Sequence, residues 1–445
     1  MEFRAAGWIC FRHRVCLDGT IAGYRTRQQS KCDEGFGSLS NVLDDPTAAS
    51  VARDVPNATV GAIVVGGDYQ GLGIVRSLGR RGIPVCVVDD QFSISRFSKY
   101  CTYFEKLRDL QSERKVVDSL LEVGARLGLS GWVLYPTREE LVAAFSRFRT
   151  QLSSSFRVPT PEWNTVQWAW DKRNTYQLAR KLGIPTPNTY YPENIDQLAE
   201  LDPLIPPFAV KPAIKEHFIY ATKAKAWRAN SHSELRALFR KASEIVGPGE
   251  IMIQDLIPGG GSQQFSYCAF FRNGEAVGKL IACRRRQHPF QFGKASTYVE
   301  TIDLPVLEEY SERFLQAIDY YGLVEMEYKL DPRDQQYKLL DFNARTWGYN
   351  SIGARAGVDF NYMLYADQVG QPITRCRGQS GVAWMRLLTD VPAVVMASLA
   401  GDVSVKSYLQ SLLDCNVEAV FSRDDPLPGV VELLLVPYLA VKRGF

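Results

Sequence analysis

GLVEMEYKLDPRDQQYKLLDFNARTW, residues Gly322 to Trp347, is the stretch from which the fold is read. Val324, Met326, Tyr328 and Leu330 alternate with Glu325, Glu327 and Lys329, and a second run alternates through Tyr337, Leu339, Asp341, Asn343 and Arg345. A period of two is that of β-strands. Between the runs, Asp331-Pro332-Arg333-Asp334-Gln335 is a turn cluster of the kind that joins antiparallel strands, so a hairpin is predicted. If Lys329 pairs with Leu339, Glu327 lies opposite Asp341, with Glu325 and Asn343 beside them on the same face. Side chains directly across such a pair sit about 5 Å apart, and like charges there repel. A hard dication on carboxylate and amide oxygens would neutralise them. A solvated acidic face is the plain alternative.

Working outward, the 445 residues suffice for roughly two or three domains. The 46% hydrophobic and 23% charged shares are those of a soluble globular protein. A net charge of +3 is too small to imply a nucleic-acid or anionic-membrane partner. The nine cysteines are odd in number, scattered and without a C-x-x-C pair, which points to reduced thiols and a cytoplasmic protein. His13, His217, His232 and His288 show no metal-ligand spacing. Val430 to Val441 is broken by Glu432 and Pro437 and is too short to span a bilayer, and Met1 to Leu17 lacks the apolar core of a secretory signal.

Residues 1–57 show no sustained periodicity and are expected to be a poorly ordered extension. From Val60 the pattern changes. GAIVVGG, a turn at Asp68 to Gly73, a helix Ile74 to Arg81 and a second buried strand IPVCVVD make one βαβ unit of a Rossmann-like domain. Gly66, Gly67, Gly71 and Gly73 with Asp89 or Asp90 form a candidate dinucleotide fingerprint, though tight packing asks for the same glycines. Thr137, three residues before Glu140, is expected to cap a helix.

After the Pro-rich exit Val158 to Trp163, Asp171-Lys172-Arg173-Asn174 begins a helix that Gly183-Ile184-Pro185-Thr186-Pro187 stops. Lys172 thus sits in a first helical turn, where a cation opposes the helix dipole unless an anion is held there too. Phe208 to Pro212 is a short buried strand ending in Lys211, which asks for an anionic partner such as phosphate. Lys223 to Arg228 reads as a second basic strand carrying Lys225. Ile251 to Ile257 runs into a hinge at Pro258-Gly259, where Gln254, Asp255, Leu256 and Ile257 can offer backbone groups to an adenine edge. In Cys283 to Gln287, Arg284 and Arg286 share a face if the segment is extended; a solvated edge and a phosphoryl clamp both fit. Beyond about 375 the pattern is mainly helical.

The order of these pieces resembles the ATP-grasp superfamily: Lys172, the Gly183-Ile184-Pro185-Thr186-Pro187 stop, Lys211-Pro212, the hinge Gln254 to Gly259, Glu327, and Asp341-Phe342-Asn343-Ala344-Arg345. GGDYQGLGIVRSLGRRGIPV, KAWRA, RRRQHP and VFSRDDPLP look like its predicted carboxylate-amine ligase branch, and the likeness covers roughly residues 60 to 430. The resemblance implies an α/β and α+β chain. A Rossmann-like pre-ATP-grasp domain (58–160) would precede an ATP-grasp domain (161–375) and a mainly helical C-terminal segment (376–445). It implies ATP with Mg²⁺ or Mn²⁺, the metal on Glu327, Asp341 and Asn343. Lys172, Lys211 and Lys225 would hold phosphate, the hinge residues adenine, and Arg345 and Arg286 the carboxylate and its acyl phosphate. The activity implied is ADP-forming ligation of a small carboxylate to an amine, with amino-acid or peptide-like substrates. Asp341 and Ala344 stand where the superfamily has Glu and Pro, and Ala213 to Phe218 lacks the glycines of its phosphate-covering loop.

Other classes stay open from sequence. They are a phosphorylating or carboxylating ATP-grasp enzyme, an NAD(P)-dependent oxidoreductase using Gly66 to Gly73, and a non-catalytic nucleotide-binding protein.

Overall fold

The computed structural model describes residues 60–259, 261–288, 295–399 and 404–437, so the extension expected over 1–57 lies outside the described residues. Four short apolar runs, β1 (Ala62–Val65), β2 (Val85–Asp89), β3 (Tyr103–Lys106) and β4 (Val133–Pro136), form a parallel sheet in the order β3-β2-β1-β4. All but the edge strand β3 are buried along their length, as expected when helices cover both faces of a parallel sheet. Thr137 is not the cap expected of it. Arg138 occupies the N-cap position of the helix Glu139–Arg147, and the Thr137 hydroxyl donates instead to the Val65 carbonyl at 2.9 Å.

A second sheet of β5 (Thr189–Tyr190), β6 (Phe208–Pro212), β7 (Trp227–Ala229) and β8 (Ile251–Asp255) is ordered β5-β8-β6-β7. Phe208, Val210, Ile251 and Ile253 pack on Leu235, Phe239 and Ala242 of the helix His232–Val246. The second basic strand is shorter than its sequence suggested. Lys223 ends the helix Lys215–Thr222 with φ 59°, and pairing begins only at Trp227.

The largest sheet holds β9 (Gln264–Arg272), β10 (Glu275–His288), β11 (Ala295–Ile302), β12 (Gly322–Asp331), β13 (Gln336–Asn343), β14 (Cys376–Arg377), β15 (Ala383–Met385) and β16 (Cys415–Glu418). Its order is β13-β12-β9-β10-β11-β15-β16, with β14 beside β10. The C-terminal region is mainly helical, with helices Leu387–Leu399, Val405–Asp414 and Leu427–Leu434, yet β15 and β16 extend this sheet.

The end of the chain is also tied to the first domain. Buried Arg76, on the helix Tyr69–Gly79, donates through Nε to Asp425 Oδ2 at 2.9 Å and through Nη2 to the Val420 carbonyl at 2.7 Å. Ser98 Oγ and the Lys99 amide complete the shell of the Asp425 carboxylate. Breaking a buried pair strands a charge, so Asp425→Ala is expected to cost about 3–5 kcal/mol. Urea unfolding checks this, and an unchanged midpoint would show the pair to be dispensable.

Candidate active site

The predicted hairpin forms, and Glu327 pairs with Asp341 and Glu325 with Asn343. The register beyond them differs from the expected one. A β-bulge at Leu340 puts Leu339 opposite Tyr328 and Lys338 opposite Lys329. An extra residue on one strand preserves the acidic face while letting the hairpin end slip by one position.

This face forms one wall of a cleft between the second and third sheets. A cavity of about 400 Å³ lies there, lined from the second sheet by Ala209, Lys211, Gln254 and Asp255 and from the third by Arg284, Glu327, Lys329 and Asp341. The hinge residues Leu256 and Ile257 line it too, so every predicted nucleotide residue, Lys172 and Lys225 included, borders one space. Lys329 reaches across to donate to the carbonyls of Ile257 at 3.0 Å and Gly259 at 2.8 Å, fixing the hinge to the floor. Lysines 172, 211, 215, 225 and 329 with Arg228 and Arg284 set seven cations against the three carboxylates of Asp255, Glu327 and Asp341. Such a wall suits a polyanion.

A second cavity of about 110 Å³ lies on the other side of the acidic pair. Lys215, Lys225, Arg284, Glu327 and Asp341 line both spaces. Glu325, Asn343, Arg345, Tyr69, Gln70, Ser296 and Tyr349 line only the smaller one. Gln70 is held there by donating to the carbonyls of Thr137 at 2.8 Å and Thr346 at 2.5 Å.

The charges are cross-matched. Lys172 Nζ bonds Asp341 Oδ1, and Arg284 Nη2 bonds Glu327 Oε2 at 3.1 Å. Burial would raise the Asp341 carboxyl, but Lys172 and Lys215 overcome it and hold it far below the usual range. Glu327 is lowered likewise, Arg284 and Lys225 outweighing burial. Glu325, buried and next to Glu327, goes the other way, to about 7. Tyr349 donates to Glu325 Oε1 at 2.5 Å, and the Ser266 hydroxyl donates to the same oxygen at 3.1 Å.

Among the described residues, no three Asp, Glu, His or Cys side chains group closely enough to hold an ion by themselves. A metal here would take oxygens of Glu327, Asp341 and Asn343, with the rest of its shell from a ligand or water. That oxygen-only set fits a hard dication such as Mg²⁺. The Nε atoms of Arg284 and Arg345 are buried without a hydrogen bond, which fits an anionic ligand beside it. Arg345 Nε does lie 2.8 Å from Glu139 Oε1, but the pair lacks hydrogen-bond geometry, so we treat it as a through-space ion pair.

One predicted site residue lies elsewhere. Arg286 borders neither cavity and is clamped by Asp390, with Nε to Oδ1 at 2.9 Å and Nη2 to Oδ2 at 2.8 Å. The cause is a bulge in β10 at Arg285, which breaks the alternation so that Arg284 and Gln287, not Arg284 and Arg286, face the cleft. The residues that sequence reasoning missed are Lys215, Glu139, Gln70 and Tyr349.

The glycine turn is filled by protein. Asp89 Oδ2 accepts from the Gly67 amide at 2.7 Å, and Ser93 and Ser95 hydroxyls donate to the Gly67 carbonyl. A Cβ at Gly71 would stand 2.2 Å from the Gly66 carbonyl oxygen, and one at Gly73 2.5 Å from Asn350 Oδ1. These glycines serve close packing, and Asp89, the acid of the candidate fingerprint, is used by the Gly67 amide and by Arg138.

No family model matches the chain. It is 22% identical over 377 residues to a D-aspartate ligase of Enterococcus faecium, covering 80% of this chain and 88% of that protein. In fold it is similar to the biotin carboxylase domain of a Hydrogenobacter thermophilus 2-oxoglutarate carboxylase, solved with MgADP and bicarbonate, at TM-score 0.59 and 12% identity over 73% of each chain. It is similar also to an L-amino acid ligase of Bacillus licheniformis, at TM-score 0.54 and 15% identity over 70% of this chain and 74% of that one. These likenesses bear out the resemblance to the ATP-grasp carboxylate-amine ligases, the fold it implies, and the expectation of a ligase-type enzyme. No helix among the described residues is long and apolar enough to cross a membrane.

Burial lowers the Lys225 ammonium to about 8, against the pull of Glu327. Its charge is therefore lost as pH rises through about 8, well before that of an exposed lysine. Competitive amine labelling from pH 6 to 11 is expected to show Lys225 titrating near 8 in the free protein; an ordinary lysine profile would refute this.

Proposed function

We propose that the chain is an ATP-dependent carboxylate-amine ligase. It activates a small carboxylate as an acyl phosphate, joins it to an amine, and releases ADP and phosphate. The observation that carries this reading is the shared wall, where Glu327 and Asp341 with Lys215, Lys225 and Arg284 border both cavities. A nucleotide in the larger space and a carboxylate in the smaller would meet there.

Phosphoryl transfer asks for alignment and charge neutralisation more than covalent help. The hinge Gln254 to Ile257 would cover the adenine. Lys211, already oriented by its 2.7 Å bond to the Tyr176 hydroxyl, would bind phosphate oxygens together with Lys172 and Lys225. Glu327, Asp341 and Asn343 would hold Mg²⁺, whose contribution would be to neutralise phosphate charge. Arg345 is confined to the smaller cavity and would orient the substrate carboxylate. Arg284 takes the place first given to Arg286, because it is the arginine that faces both spaces.

The smaller cavity suits a carboxylate of few atoms in a polar setting. Similarity to a D-aspartate ligase and an L-amino acid ligase makes an amino acid the class to test first, on either side of the new amide. The same volume also admits bicarbonate, so bicarbonate belongs in the screen.

The test is release of ADP and phosphate over a panel of carboxylates, bicarbonate included, each with and without amines. Turnover that needs both partners supports the ligase; turnover with bicarbonate alone, or none, overturns it. Asp341→Asn keeps the shape and removes one charge, and is expected to lower kcat by about 10²–10³-fold. Wild-type turnover of the folded variant at saturating ATP would exclude Asp341 from the metal set.

A further inference from the structure

Where the resemblance expects a glycine-rich cover after Lys211-Pro212, the chain folds the eight-residue helix Lys215–Thr222. A flexible loop covers phosphates with backbone N–H groups, whereas a helix bonds all but those of its first turn internally and presents side chains as well. The first helical residue is Lys215, and its side chain borders both cavities. The helix is docked on the first turn of Glu139–Arg147 in the Rossmann-like domain. Tyr220 donates to Glu140 Oε1 at 2.6 Å, and Lys215 Nζ lies 3.7 Å from Glu139 Oε1.

The cations of the cleft differ in how far they are committed. Lys172 is bonded to Asp341, Lys211 to Tyr176, and Lys329 to two carbonyls. Among the described residues, the partners of Lys215 are through-space ones, Glu216 at 3.4 Å and Glu139 at 3.7 Å. Both are looser than a good N–H···O bond, which leaves its donors for a ligand. Burial opposes its charge, but Glu216 and Glu139 more than offset that and keep it protonated. Glu139 faces Arg345 as well, so one carboxylate spaces the two cations.

We propose that Lys215 is a catalytic residue whose ammonium contacts the γ-phosphoryl group as it passes from the nucleotide cavity to the carboxylate cavity, with Glu139 as its positioning residue. This rests on the ligase reading. In the step, a substrate carboxylate oxygen forms a bond to the γ-phosphorus, and the bond from that phosphorus to the β,γ-bridging oxygen breaks. Its electron pair leaves on ADP. Lys215 keeps its protons and neutralises charge on the oxygens in transit, so it acts chiefly on the transition state.

The test compares Lys215→Met and Lys215→Arg with wild type by calorimetric ATP affinity without carboxylate, by steady-state kcat and KM, and by thermal unfolding. Lys215→Met is expected to bind ATP within about threefold of wild type and to lose about 10²-fold in kcat. Lys215→Arg should recover part of that loss, and Glu139→Gln should lower kcat less than Lys215→Met. Wild-type kcat in folded Lys215→Met overturns the proposal, as does a loss confined to KM or to ATP affinity. If Lys215→Met unfolds, the neutral Lys215→Gln decides, since wild-type kcat without the ammonium would rule out contact with the phosphoryl group. No ADP release from the wild type with any pair overturns the ligase reading and this inference together, and the two failures are thereby told apart.

Discussion

Three carboxylates on one hairpin face, Glu325, Glu327 and Asp341, stand within a cleft where water cannot screen them well, and the architecture around them answers that repulsion. Their matching charges come from distant parts of the chain: Lys172 from a helix start, Lys215 from the helix that follows Lys211, Lys225 from a loop, and Arg284 from β10. A buried ion pair contributes little net stability because desolvation offsets attraction. The arrangement is therefore costly as a device for holding the fold together. It makes sense as a site whose charges are arranged before a ligand arrives.

The Rossmann-like domain takes part through its edges. Its glycine turn is packed shut by Asp89, Ser93 and Ser95, so the place where a related fold would cradle a dinucleotide is used for structure. What the domain supplies to the cleft is Tyr69 and Gln70 on one side and Glu139 on the other. All three reach the smaller cavity or the residues that line it, so the domain shapes the acceptor side of the site more than the nucleotide side.

The hairpin was legible because a period of two survives any tertiary context that buries one face, whereas the Glu327–Asp341 pair rested on an assumed pairing of Lys329 with Leu339 and is kept in the structure by the bulge at Leu340. The bulges at Leu340 and Arg285 were not, since an inserted residue leaves the same letters in the same order. That explains why Arg286 was chosen over Arg284: three consecutive arginines carry no mark of which one the strand turns inward. Lys215 was hidden for another reason. Ala213 to Phe218 lacks the glycines of a covering loop, and its letters do not show that the segment is a helix with a lysine at its first turn. Strands as short as β15 and β16 lie below what alternation can reveal, so the C-terminal region reads from sequence as mainly helical.

The pairing of Lys172 with Asp341 also bears on how the site could change partners. Both groups are assigned to the triphosphate and its metal in the proposed reaction, yet here they bond to each other. An ammonium and a carboxylate that exchange one another for a phosphate oxygen and a dication keep every buried charge matched before and after. Neither half of that exchange is favourable alone, because removing one partner of a buried pair strands the other. In the proposed reaction, Lys172 and Asp341 would therefore release one another together rather than singly. The same logic extends to Glu139, which faces Arg345 and Lys215 together and keeps both cations compensated whichever cavity is filled first.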